Sequence, residues 1–109
     1  MTRTIRVLSL LLVAMGAAST SFAQSAIAGI VKDPSGAVLP GVTVEVSSQS
    51  LIEGSRSTQT DSTGQYRIVD LRPGEYTVTF MLAGFKQVKR EGIILPVSFT
   101  STVNADLAV

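Results

Sequence analysis

The sequence contains no cysteine, no histidine and no tryptophan, and each absence removes a class of explanation. Small domains in oxidising compartments commonly rely on disulfides; without cysteine, burial of apolar side chains alone has to hold this one together. Without histidine the chain lacks the commonest general base and the commonest metal ligand. A catalytic zinc site draws on His and Cys ligands, and Ser-His-Asp or Cys-His catalysis needs an imidazole, so both mechanisms are excluded. Without tryptophan, any sugar-stacking surface would have to come from two tyrosines and four phenylalanines. No window from Gln24 to Val109 shows helical periodicity, so no amphipathic helix is expected to lie on a membrane.

What the chain does have begins with an export signal. Met1 to Arg6 carries Arg3 and Arg6, Val7 to Ala18 is an apolar run interrupted at Ser9, and Ser21-Phe22-Ala23 precedes Gln24. A basic start, an apolar stretch of about 7 to 15 residues and a small-x-small site make a secretory signal. A membrane-spanning helix needs about 20 apolar residues, more than this run supplies. The expectation is a signal-peptide helix over residues 1–23, cleavage after Ala23, and a single domain over residues 24–109. The product is then exported to the periplasm or to the outer membrane and cell surface. No membrane span is expected in the mature part.

Charge supports no nucleic-acid role. With Arg3 and Arg6 removed, seven basic residues face eight acidic ones. Electrostatic capture of a phosphate backbone needs cations gathered on one face. The one cluster, Lys86, Lys89 and Arg90 beside Glu91, reads as a solvated strand edge guarded against aggregation.

Short runs rich in Val, Ile, Thr, Tyr and Phe alternate with polar positions throughout the rest. Strands are expected at 26–32, 42–49, 56–60, 64–70, 74–83, 85–90 continuing through 93–95, and 97–107. Turn residues separate them. Asp33-Pro34-Ser35-Gly36 and Asp61-Ser62-Thr63-Gly64 have the Asp-first, Gly-fourth pattern of type I turns, while Leu39-Pro40-Gly41-Val42 and Arg72-Pro73-Gly74-Glu75 have the Pro-Gly centre of type II. The two-residue period points Val42, Val44 and Val46 inward, with Tyr66, Ile68, Tyr76, Val78, Phe80 and Leu82, and leaves Thr77 and Thr79 facing water. Seven short strands without a helix pack most economically as two antiparallel sheets, face to face.

A family resemblance rests on motifs in fixed order: Gly29-Ile30-Val31-Lys32-Asp33 with Gly36, Leu39-Pro40-Gly41-Val42-Thr43-Val44, Thr60-Asp61 with Gly64-Gln65-Tyr66, Leu71-Arg72-Pro73-Gly74-Glu75-Tyr76-Thr77-Val78, and Gly84-Phe85. Over about Ala26 to Leu107 the chain resembles the carboxypeptidase regulatory-like domain. The resemblance implies an all-β, seven-stranded antiparallel Greek-key sandwich of the transthyretin (prealbumin) kind, grouped also with starch-binding-like folds. It implies an accessory module without an active site, common at the N-terminus of exported bacterial proteins, many of them similar to TonB-dependent outer-membrane receptors. Such receptors continue into a plug and barrel where this sequence stops at Val109. The expectation is therefore a stand-alone module or a piece of a longer protein, with no transport function carried over.

The remaining chemistry is weighed residue by residue. Asp61 with Asp33 or Asp70 is the one pair of carboxylates that folding could bring together for acid/base work, and turn chemistry accounts for Asp33 and Asp61 better. Calcium needs several oxygen ligands in one loop, and the Asp33 loop offers one carboxylate. A Lys32 to Asn104 isopeptide bond, as in the adhesin modules this chain resembles, would need the buried acid that those modules carry where this chain has Phe80. No residue is assigned a catalytic, cofactor-binding or metal-ligating role, and no cofactor is expected. The function expected is a non-catalytic interaction or spacer domain acting through sheet edges and turns. Its partner is an unidentified protein or a component of the cell envelope. The alternative is carbohydrate binding through Tyr66, Tyr76, Phe85 or Phe99.

Overall fold

The computed structural model describes residues 24–109, which are all strand, turn and loop. The expected signal-peptide helix and the cleavage site at Ala23 lie outside the described residues. Eight strands follow in order: β1 (Ser25–Lys32), β2 (Thr43–Ser47), β3 (Ser55–Gln59), β4 (Gln65–Leu71), β5 (Gly74–Met81), β6 (Val88–Leu95), β7 (Thr100–Thr102) and β8 (Ala105–Asp106). They form two sheets. One has the order β4-β1-β7, with β8 continuing alongside β1, and the other has the order β3-β2-β5-β6.

The alternation that the sequence shows is what joins them. Val44 and Val46 from β2, Tyr76, Val78 and Phe80 from β5, and Ile27, Val31, Tyr66 and Ile68 from β1 and β4 are all buried in one core. Tyr66 and Phe80 meet across the two sheets edge to face, with ring centroids 5.7 Å apart, the arrangement the aromatic quadrupole favours. Leu82 packs against this core only partly buried.

Three expectations about the strands are corrected. First, the run 97–107 is two strands and not one, so the count is eight. Ala26 N–H donates to the Phe99 carbonyl at 3.0 Å, and the same step carried forward would bring Ile30 N–H to the Val103 carbonyl. That carbonyl instead accepts the Tyr66 hydroxyl, and Ile30 N–H donates to Asn104 Oδ1 at 2.9 Å. The ladder breaks where a side chain replaces a backbone acceptor. Gly29 permits the crossing, since a Cβ there would stand 2.0 Å from the Val103 oxygen. Second, the first sheet is mixed and not antiparallel, because β7 and β8 both run parallel to β1. Residue periodicity carries no information about strand direction. Third, Thr79 is buried, although it lies on the outer side of β5. It sits on a central strand between Glu45 of β2 and Lys89 of β6, whose longer side chains flank it.

The turns follow their sequence except at one. Gly36 and Gly64 each donate to the carbonyl of the Asp three residues earlier, at 3.0 Å in both. Gly41 takes φ 76°, as the third position of a type II turn requires. Here Thr60 Oγ1 mediates the closure: it accepts from Val42 N–H at 2.9 Å and donates to the Leu39 carbonyl at 2.6 Å. Arg72-Pro73-Gly74-Glu75 does not form the expected type II turn. Gly74 has φ 158° and already belongs to β5, where a Cβ would crowd the Ser50 hydroxyl.

The edges are closed by different devices. Arg56 of β3 donates to the Val69 and Asp70 carbonyls of β4 at 2.6 and 3.3 Å, pinning the two sheets together on one side. On the other side β6 pairs Arg90 with the inward-facing Val78 and shifts register between Tyr76 and Val78, with Gly92 at φ 70°. The exposed charges Lys89, Arg90 and Glu91 and a bulge both discourage a further strand.

Candidate functional site

One concave feature the fold builds is a trough on the outer face of the β4-β1-β7 sheet. Its origin is the sequence of β1, where Ala28, Gly29 and Ile30 give the central strand small or short side chains. Ala28 lies opposite Arg67 of β4 and Thr102 of β7, and Ile30 lies opposite Gln65. Longer polar side chains therefore stand on both sides of a low central strand. Gln59 and Asp61 close one end, and the open trough has a volume of about 570 Å³.

Its polar groups are the neutral Gln59, Gln65, Thr102 and Asn104, together with the charged Arg67 and Asp61. Asn104 has its carbonyl oxygen engaged by Ile30 N–H, which leaves its amide NH₂ as a donor. Asp61 is occupied by its own turn: its Oδ1 accepts from the Thr63 hydroxyl at 2.6 Å, from Thr63 N–H at 2.9 Å and from Gln65 N–H at 3.0 Å. The Thr63 hydroxyl bond, then the two backbone bonds, hold its carboxyl below the usual carboxylate range. A carboxylate so held is a poor proton acceptor at neutral pH.

The same holds for the other groups singled out in the sequence. Asp33 repeats the pattern, accepting from the Ser35 hydroxyl and from the Ser35 and Ala37 amides, and its carboxyl is lowered chiefly by the Ser35 hydroxyl. Asp33 and Asp61 lie in turns at one end of the sandwich, each serving its own loop, and Asp70 lies near the opposite end of β4. Asp33 and Asp61 each accept hydrogen bonds from their own turn, and the length of β4 separates Asp70 from Asp61. Lys32 stands opposite Asp106, two residues beyond Asn104, and Lys32 and Asn104 are both exposed. Phe80, where an acid would be needed, is fully buried.

The aromatic residues are placed for packing. The Tyr66 and Tyr76 rings are buried, and their hydroxyls donate to the Val103 and Arg72 carbonyls. Burial pushes both phenols up from their ordinary value. Phe85 packs against the core, which leaves Phe99 as the exposed aromatic ring among the described residues. The Lys86, Lys89 and Arg90 cluster lies at and just before the edge strand β6, where Lys89 faces Glu91 at 3.9 Å. Sequence reasoning missed the trough, the Arg56 clamp and the Asn104 bridge. Only the trough had a local signal, in the small residues of Ala26-Ile27-Ala28-Gly29-Ile30.

The sequence profile of the carboxypeptidase regulatory-like domain matches residues 26–108. The chain belongs to that family. It is 36% identical over 90 residues to the TonB-dependent transporter Oar of Myxococcus xanthus, a match that covers 82% of this chain and 8% of the transporter. Among solved structures, catechol 1,2-dioxygenase of Acinetobacter radioresistens superposes with a TM-score of 0.60 at 13% identity, over 81% of this chain and 52% of the enzyme. The Bacillus anthracis TIE protein gives 0.62 at 18%, over 79% of this chain and 16% of that one. At such identities the likeness is one of fold. The chain spans only 8% of the length of the transporter it matches.

Proposed function

We propose that this chain is an exported, non-catalytic accessory domain of the bacterial cell envelope, comparable to the segment it matches in a TonB-dependent transporter. The observation that carries the reading is that match, 36% identical across 82% of this chain. The export pattern of residues 1–23 points the same way. Its topology we read as the transthyretin-like Greek key of the family. The absence of catalysis is supported by the engagement of its titratable groups, since Asp33, Asp61, Tyr66 and Tyr76 each serve a turn or a core hydrogen bond. Its partner in this reading is a protein or other component of the envelope.

Expression of the full chain in a Gram-negative host, followed by fractionation and N-terminal sequencing, tests the reading. A polypeptide beginning at Gln24 in the envelope or periplasmic fraction is expected. An unprocessed chain confined to the cytoplasm would contradict it.

One observation favours a second reading, carbohydrate binding. The trough presents Gln59, Gln65, Arg67, Thr102 and Asn104 over a floor of Ala28 and Ile30, hydrogen-bonding groups suited to a neutral polyhydroxylated chain. Affinity electrophoresis in gels containing starch, chitin or peptidoglycan fragments separates the two. Retardation that Gln65→Ala and Arg67→Ala abolish would favour the glycan, and unretarded migration in all three the accessory role.

A further inference from the structure

The trough does not end at Arg67. A second hollow, of about 280 Å³, is lined by Ala26, Val69, Asp70, Phe99 and Thr100, and by Arg67 itself. The strand register makes the two continuous. Arg67 and Thr102 both lie opposite Ala28, and Thr100 lies opposite Ala26, so a two-residue step along each strand leads from one hollow to the next on the same face. The groove follows β1 from Ala26 to Ile30, a floor about 13 Å long, between walls on β4 and β7 about 10 Å apart. Such a form suits a linear chain better than a compact small molecule.

Charge is laid out along the groove in a definite order. Arg67 stands where the two hollows meet, Asp61 lies in the first and Asp70 in the second. Asp61 is tied to the N–H of Gln65, two residues before Arg67, and Asp70 follows three residues after it on β4. The acids therefore flank the cation at about 7 and 10 Å along the strand. Among the described residues the ion pairs are Arg56 with Glu53 and Lys89 with Glu91, so Arg67 is exposed without a carboxylate partner. Its guanidinium is a planar fork that holds a carboxylate by two parallel hydrogen bonds.

This order discriminates between ligands. A chain charged at every unit sets a carboxylate against Asp61 or Asp70, and an uncharged chain leaves Arg67 unmatched. One carboxylate between neutral neighbours satisfies all three. The neutral neighbours meet the amides of Gln65 and Asn104 and the Thr102 hydroxyl, donors and acceptors for sugar hydroxyls, and the exposed ring of Phe99 at the far mouth offers an apolar face. We propose that the groove binds a largely neutral glycan through an isolated carboxylate, that of an acidic sugar flanked by uncharged ones, seated on the Arg67 guanidinium. The proposal rests on the carbohydrate reading and adds which glycans are chosen and which residue chooses them.

Three tetrasaccharides test it: one with a single glucuronate between neutral glucose units, cellotetraose with no charge, and tetragalacturonate with a carboxylate on every sugar. Each is titrated into the isotope-labelled full chain, and the Arg67 Nε–H and Asn104 side-chain NH₂ resonances are followed. The single-glucuronate sugar should shift both to saturation with a Kd about tenfold below that of cellotetraose, the worth of one charge-assisted contact. Tetragalacturonate should bind more weakly than the single-glucuronate sugar. Arg67→Gln should bring the glucuronate sugar and cellotetraose to the same Kd, with the rest of the spectrum in place. Asp70→Asn, which keeps a side chain that tolerates the φ of 59° there, should tighten tetragalacturonate severalfold and leave cellotetraose unchanged. Equal Kd values for the glucuronate sugar and cellotetraose in the unaltered chain would overturn the proposal and leave the carbohydrate reading standing, as would tightest binding by tetragalacturonate. No saturable shift with any of the three would overturn both.

Discussion

At the scale of single residues, consequence follows from the direction a side chain takes and from what stands behind it. Phe80 is fully buried against Tyr66, so Phe80→Ala should cost about 3 to 5 kcal/mol, as large-to-small changes in a core do. Thr79, one position away, lies on the outer side of the same strand, and Thr79→Ala should cost about 1 kcal/mol or less despite its burial. Urea unfolding of the two variants measures the contrast; equal losses would mean that β5 faces the other way. Gly29 is the opposite case, a residue whose importance is the atom it lacks. Gly29→Ala sets a methyl group against the Val103 carbonyl and should destabilise by about 3 kcal/mol, the upper end of overpacking, detectable as a fall in the urea midpoint at constant m-value.

At the scale of elements, Thr60 shows how one hydroxyl completes a turn between distant parts of the chain. Thr60→Val removes both the acceptor for Val42 N–H and the donor to the Leu39 carbonyl, and two backbone groups left without partners in a buried setting should cost about 2 to 4 kcal/mol together. Amide exchange at Val42 should rise sharply in that variant; unchanged protection there would show that the hydroxyl is not the link. The sequence made most of these elements legible and hid their relations. Val42, Val44 and Val46 announce their inward face by spacing alone, and Asp33 to Gly36 and Asp61 to Gly64 announce their turns by residue type. Val103, Ala105 and Leu107 keep the same two-residue period across the break between β7 and β8, so periodicity reads one strand where a long-range contact with Gly29 makes two. Pro73-Gly74 reads as a turn by residue type, although the glycine is already the first residue of β5. The trough was visible as small residues in β1 but not as a site, since its walls come from β4 and β7 and only pairing brings them there.

At the scale of the whole molecule, stability should fall away at both extremes of pH, from different groups. Asp33 and Asp61 have carboxyls lowered below 3.8 by hydrogen bonds. Their contribution is therefore present above that value and is lost as pH falls through the lower folded value. Tyr66 and Tyr76 have phenols raised above 10.0 by burial, so their contribution is present below pH 10 and is lost as pH rises beyond it. Thermal melts across pH should show a plateau between those limits, and Tyr66→Phe should flatten the alkaline decline; an unchanged decline would contradict the buried phenol. The central claim is that two β-sheets are held together by the side chains that alternate inward from each, and the Tyr66–Phe80 contact joins the sheets directly. A nuclear Overhauser spectrum of the purified domain tests it. The account predicts cross-peaks between the ring protons of Tyr66 and Phe80; assigned rings without such cross-peaks would contradict it.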